Sequence, residues 1–170
     1  MLRMVIYQLQ NGIIYFMYNH APNDYVCPFC LLLKNIKNEH VLSVDSDIFY
    51  YGNDVTGFIS SHQWHNNLGH ALVIPNRHYE NIYDLPPDLG GKIHQVVQQT
   101  ALAMKTIYGC DGTSTRQHNE PDGNQDVWHY HVHVFPRYAE DNLYGSDYFE
   151  MPVEERAQYA SRLRAYFQKI

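Results

Sequence analysis

Between Val127 and Phe135 the chain reads Val-Trp-His-Tyr-His-Val-His-Val-Phe. Read as a strand, this segment sends alternate side chains to opposite faces. Trp128, Tyr130, Val132 and Val134 then share an apolar face that belongs in a core. His129, His131 and His133 share the other, roughly 6.5–7 Å from one to the next. Val127 and Phe135 flank them, so that face is half apolar, as in a cleft. Three in-line imidazoles have two chemical readings. One is a metal ion held by all three. The other is divided labour, in which a neutral imidazole attacks an electrophile while its neighbours bind charge. Nearly parallel side-chain vectors converge poorly on one tetrahedral ion, so the spacing favours divided roles. Phosphorus suits that chemistry: imidazole is a competent nucleophile near neutral pH, and its phosphoryl adduct is labile enough to turn over. A second histidine one step along can hold non-bridging oxygens as charge builds.

Cys27-Pro28-Phe29-Cys30 has the two-residue spacing of zinc sites and of redox turns. The redox form needs a long helix behind the first thiol, and Leu31 to Lys37 is short and soon broken by Asn38. Zinc needs two further ligands, and the chain has 11 histidines to supply them. On spacing alone the pair stays open between zinc, redox and incidental roles.

The elements that must position these groups are short. Ile13–Tyr18, Asp47–Tyr51, Val55–Ser60, His70–Ile74 and Gly112–His118 read as strands, with Gly52-Asn53-Asp54 a hairpin signal. Val127–Phe135 is the strongest strand. Cys27–Lys37 holds one or two helical turns, His62–Leu68 reads as a polar loop, and Glu120–Asp126 as a second loop. Pro86-Pro87-Asp88 opens a long helix in which Ile93, Val96, Val97, Thr100, Ala101, Met104, Ile107 and Tyr108 recur at steps of three and four, ended by Gly109. A last amphipathic helix spans Glu154–Gln168, with Tyr159, Leu163 and Phe167 on one side. Strands that neighbour each other plus one long helix predict an α+β fold with an antiparallel sheet.

Composition sets the outer bounds. The 170 residues, 45% hydrophobic, suffice for one domain with a real core and not for two. A net charge of −6 argues against a non-specific nucleic-acid or membrane-surface binder. No apolar run reaches the ~18 residues of a membrane span, and Met1–Tyr7 lacks a signal-peptide pattern. Three cysteines are no disulfide framework. The expectation is a reduced, cytoplasmic protein in which Cys110 is a small core or loop residue.

Together these residues resemble the histidine triad (HIT) family, whose signature of three histidines alternating with apolar residues stands here as His129-Tyr130-His131-Val132-His133-Val134-Phe135. Gly69-His70-Ala71-Leu72-Val73-Ile74-Pro75-Asn76-Arg77-His78 resembles the family's second strand and turn. Asn119, Gly123 and Gln125 resemble its phosphate-side loop, and Cys27-Pro28-Phe29-Cys30 its zinc-bearing N-terminus. The likeness covers roughly residues 25–137, leaving 138–170 as a helical extension of a single HIT-like domain. It implies an antiparallel sheet of about five strands with one long helix packed on it, and a homodimer. It implies nucleotidyl chemistry at an α-phosphate, with dinucleoside polyphosphates such as diadenosine tetraphosphate, or nucleotide phosphoramidates, as substrates. Carried over by position, His131 is the nucleophile, His133 contacts the phosphate and His129 orients His131, in part through its carbonyl. Asn119, Gln125 and Asp126 line the phosphate site, and His70 lies near the triad. Cys27, Cys30, His78 and His129 would hold a structural zinc in a closed set, and no catalytic cofactor is expected.

The chain departs from the family at Asp126, where Ser or Thr is common. A carboxylate about 4 Å from a phosphate costs on the order of 4 kcal/mol at a dielectric of about 20. Either its side chain points away, or it is protonated, or it serves an unusual leaving group. Asn124 replaces a small glycine, and Phe58-Ile59-Ser60-Ser61-His62 lacks the acidic residue that the family offers to ribose. Two other classes therefore stand beside the hydrolase: a nucleotide sensor with a silent triad, and a hydrolase with a catalytic zinc on the histidine strand. Trp64 and His65 are candidates for base stacking, Arg77 and Arg137 for phosphate neutralisation, and Tyr144, Tyr148 and Phe149 for docking the C-terminal segment.

Overall fold

The backbone described by the computed structural model comprises residues 4–8 and 14–169, with side chains from Tyr18 onward. The N-terminal reading of Met1–Tyr7 and the strand start at Ile13 fall partly outside these residues. Two strands, β1 (Met4–Gln8) and β2 (Ile14–Tyr18), pair with each other. The main sheet is built from β3 (Ile48–Tyr51), β4 (Val55–Ile59), β6 (Ala71–Pro75), β7 (Gly112–Gln117) and β8 (Val132–Arg137). Its order is β3-β4-β6-β8-β7, antiparallel throughout.

Alternation along these strands separates two faces. On one, Val55, Ile59, Ala71, Val73 and Val134 pack against α2 (Pro87–Tyr108) and α3 (Val153–Phe167). Helix α2 begins where the Pro86-Pro87 pair needs no amide donor and ends at Gly109, which turns left-handed at φ 66°. Its buried stripe is Ile93, Val96, Val97, Thr100, Ala103 and Met104. On the opposite face Phe58, Leu72 and Ile74 pack under the short helix α1 (Pro28–Leu33), through Phe29 and Leu32. Helices thus cover one face fully and the other at one end only, which leaves room beside α1 for a cleft.

Two elements differ from the sequence reading. Val127–Phe135 is not one strand: pairing starts at Val132, and before it the chain turns, with the His129 amide donating to the Val127 carbonyl at 2.8 Å. The Tyr130 amide leaves the sheet altogether and donates to Tyr79 O. Only His133 therefore sits in the ladder, and His129 and His131 approach it on irregular backbone. Second, the polar stretch read as loop contains β5 (His62–Trp64), paired with β9 (Tyr148–Glu150). Its partner lies more than eighty residues away in the C-terminal segment, so nothing local announces it.

Gly69 illustrates how tightly the turn before β6 is specified. Its φ is +94°, and a Cβ there would stand 2.6 Å from the Tyr108 ring. The buried Gln63 side chain clamps the same turn. Its Oε1 accepts from the amides of Gly69 and His70 at 2.9 and 2.8 Å, and its Nε2 donates to the carbonyls of Ser60 and His70.

Candidate active site

The open part of the sheet face forms a cleft of about 540 Å³. His131 and His133 stand in its floor, with His70, His118, Arg116 and Asp126 among the polar groups that line it.

Each histidine has a defined hydrogen-bond role. His131 Nδ1 lies 2.7 Å from the His129 carbonyl, which can only accept, so Nδ1 carries the proton and Nε2 keeps its lone pair. The ring is buried, 3% exposed, yet it lines the cleft, so a ligand in the cleft is what it meets. Burial pushes its basicity below the ordinary imidazole value, partly opposed by the His129 carbonyl and by the charge of Asp126. His70 Nδ1 faces the His62 carbonyl at 3.0 Å, so His70 donates there and its Nε2 accepts from His133 Nδ1 at 2.9 Å. Burial, reinforced by His70, His131, His118 and Arg116, holds His133 well below the usual range, so it too is neutral. His118 donates from Nδ1 to Gly123 O at 2.7 Å, with its ring 5.6 Å from that of His133.

Behind the triad lies a second cluster. The ligand atoms of Cys27, Cys30, His78 and His129 fall within 4.8 Å of one another. Cys27 Sγ to His129 Nδ1 is 3.3 Å, Cys30 Sγ to His78 Nδ1 3.4 Å, and Cys30 Sγ to His129 Nδ1 3.7 Å. Those separations match the edges of a tetrahedron built on metal–donor bonds of about 2.0–2.3 Å. His129 Nε2 donates to Pro75 O at 2.9 Å, which leaves Nδ1 free of its proton and facing the thiols. The neighbouring Cys27 draws Cys30 down to about 7, while Cys30 and burial raise Cys27. The donor set therefore fits a metal ion. Phe29 separates the clusters, its ring 5.7 Å from His129 and 5.5 Å from His131.

The remaining expected residues divide. His70, Asp126 and Trp64 line the cleft. Asn119 and Gln125 are instead spent within the loop that shapes it: Asn119 Oδ1 accepts from the Ile82 amide at 2.8 Å, and Gln125 Nε2 donates to Glu80 O at 2.6 Å. Arg77 lies over Tyr79, and Arg137 forms a two-point pair with Asp141 at 2.7 and 2.8 Å, both away from the cleft. His65 stacks on Phe149 at 4.6 Å. Arg116 and His118 line the cleft and were not singled out by sequence reasoning. The signal was present: both lie on the strand-like segment before the loop, two residues apart and so on one face.

Comparison with known proteins agrees with this geometry. The HIT domain family profile matches residues 42–140, and the chain belongs to that family. Protein hit of Bacillus subtilis is 29% identical over 120 residues, covering 71% of this chain and 77% of its own. A HIT-like protein from Bartonella henselae superposes with a TM-score of 0.70 at 27% identity, over 86% of this chain and 99% of that one. A zinc-bound histidine triad family protein from Mycobacterium smegmatis superposes at 0.69 with 25% identity, over 84% and 94% respectively.

Proposed function

We propose that the protein is a nucleotide hydrolase or transferase that cleaves at an α-phosphate through a nucleotidyl-histidine on His131. The observation that carries this reading is the 2.7 Å hydrogen bond from His131 Nδ1 to the His129 carbonyl, which fixes the tautomer and leaves Nε2 as a lone pair in the cleft. In the first step that pair forms the Nε2–P bond. The P–O or P–N bond to the leaving group breaks with its electrons, and an amine leaving group takes a proton from solvent as it departs. In the second step water forms the new P–O bond, the electrons of the P–N bond return to Nε2, and the proton from water goes to solvent. His133 holds the non-bridging oxygens, and Asp126 at the exposed rim attends the leaving group or the incoming water. Dinucleoside polyphosphates and nucleotide phosphoramidates are the substrate classes.

Cys27, Cys30, His78 and His129 would hold a structural zinc. A closed set of four protein donors has no open position for substrate, which supports a structural rather than a catalytic ion. With an ion in that site the His129 ring would be held in place, and with it the carbonyl that receives the His131 Nδ1 proton. The HIT resemblance further supports a homodimer, for which the outer side of β7 is an unpaired sheet edge among the described residues.

The test is His131→Ala assayed on diadenosine tetraphosphate and on adenosine phosphoramidate. Turnover is expected to fall by about 10³-fold or more, with far-UV circular dichroism and metal content unchanged. A variant that keeps full activity overturns the mechanism.

A further inference from the structure

Strand register orders the floor of the cleft into a row. Phe58 pairs with Leu72, Leu72 with His133, and His133 with Arg116 across β4, β6, β8 and β7. Directly paired residues of neighbouring strands project to the same face. One side of His133 is therefore apolar, continuous with Phe29 and Val127 over Leu72. The other side is a cation.

Arg116 is held by aromatic faces. Its guanidinium carbon lies 4.2 Å from the Tyr144 ring centre, 4.9 Å from Phe135 and 5.9 Å from Trp64. Stacking of this kind fixes the plane of the guanidinium and supplies no acceptor for its in-plane N–H groups. Nε and Nη2 are both buried, and neither meets a hydrogen-bond partner among the described residues. No carboxylate pairs with Arg116 among those residues, and the one carboxylate lining the cleft is Asp126. Buried donors without partners are rare and costly. A planar fork with unspent donors, beside the histidine that faces phosphate, has the geometry for a phosphate or carboxylate.

We propose that Arg116 is the anion-binding residue for the departing half of the substrate, so that the preferred leaving group carries phosphate of its own. This rests on the nucleotidyl-transfer reading above and narrows its substrate class to polyphosphate-linked nucleotides. The assignment to the leaving group follows from what the other parts of the ligand occupy. The reacting phosphate lies on His131 and His133, and the nucleoside takes the apolar side of Leu72 and Phe29. In-line displacement sends the leaving group away from the attacking nitrogen. The charged remainder then falls beside Arg116, which stands one row along the sheet from His131 and across His133 from Leu72.

The experiment compares wild type, Arg116→Gln and Arg116→Lys on two substrates that share an adenylyl group. Diadenosine tetraphosphate releases adenosine triphosphate, a leaving group with a charged triphosphate, whereas adenosine phosphoramidate releases uncharged ammonia. Arg116→Gln is expected to lower kcat/KM on the tetraphosphate by about 10–100-fold and on the phosphoramidate by less than about 3-fold, with Arg116→Lys between wild type and Gln on the tetraphosphate. Equal losses on both substrates would assign Arg116 a general structural role and overturn the proposal, as would no loss on either. A second arm does not depend on turnover. Inorganic tripolyphosphate is titrated into wild type and Arg116→Gln by calorimetry, and the variant is expected to bind about tenfold more weakly. Equal binding, or none to wild type, refutes the subsite. If wild type cleaves neither substrate, the nucleotidyl reading fails and the tripolyphosphate titration alone decides whether Arg116 receives an anion.

Discussion

His70 is buried beneath the cleft it borders: its ring stacks on Phe135 with centroids 4.1 Å apart, and both nitrogens are committed, to His62 O and to His133. Burial holds its basicity at about 3, with the charges of His131, Arg116 and His62 acting in the same direction against the His62 carbonyl. In the unfolded chain this imidazole takes its proton near pH 6.5, whereas the folded state resists it until about pH 3. Its contribution is therefore complete above about pH 6.5 and is lost as pH falls toward about 3, at up to about 1.4 kcal/mol per pH unit. Urea unfolding at about pH 7 and about pH 5 checks this: the wild-type midpoint falls, and His70→Gln loses up to one proton's worth of that slope. An unchanged slope in the variant would assign the acid sensitivity to other groups. His133 leads to a related expectation. Its Nδ1 is spent on His70, so in the neutral form Nε2 has no proton to offer a phosphate oxygen. Adenosine monophosphate binding near pH 7 should then take up as much as one proton, read as a dependence of calorimetric enthalpy on buffer ionisation.

Among the elements, α3 carries the largest surprise. Its amphipathic pattern is legible in the sequence, and Leu163 is buried as expected. Arg156 is buried as well, 1% exposed, facing Asp47 with Nε 3.1 Å from both carboxylate oxygens. Its remaining donors reach the carbonyls of Met151 and Leu42. Removing one partner from a buried, saturated pair leaves a stranded charge, so Asp47→Ala is expected to cost about 3–5 kcal/mol in urea unfolding; a loss under about 1 kcal/mol would place the pair in contact with solvent. The contrast defines what a sequence can disclose. Three- and four-residue periodicity exposed α2 and α3, and short apolar or β-like runs bounded by turn residues exposed the sheet strands. Neither exposed the pairing of Arg156 with Asp47 or of β5 with β9, since those partners are far apart in the chain and carry no shared pattern. The triad was legible as a motif, yet its alternation overstated the strand: the Tyr130 amide pairs with Tyr79, and the chain bends before Val132. Asn119 and Gln125 were legible as residue types, but their amides brace the loop, which no spacing could reveal.

On the scale of the whole molecule, the thiol–imidazole cluster ties together parts that are distant in sequence. Cys27 caps the start of α1 and Cys30 lies within it, His78 follows β6, and His129 precedes β8. An ion there cross-links the cap over the open sheet face to the sheet itself, and binding free energy at such a site becomes folding free energy. Chelation of the purified protein, or Cys30→Ala, is expected to lower Tm by about 10 °C, since each kcal/mol is worth about 2–4 °C in a chain of this size. An unchanged Tm alongside demonstrated metal loss would reduce the cluster to a passive one. No helix among the described residues is long and apolar enough to cross a membrane.

His129 serves two masters with different atoms: its ring faces the thiols, and its main-chain oxygen steers His131. Any amino acid supplies a main-chain oxygen, but only a few supply a ligand. A different residue at position 129 would therefore lose the ring that faces the thiols and still present the main-chain acceptor to His131 Nδ1, provided packing holds the bend at residues 127–131.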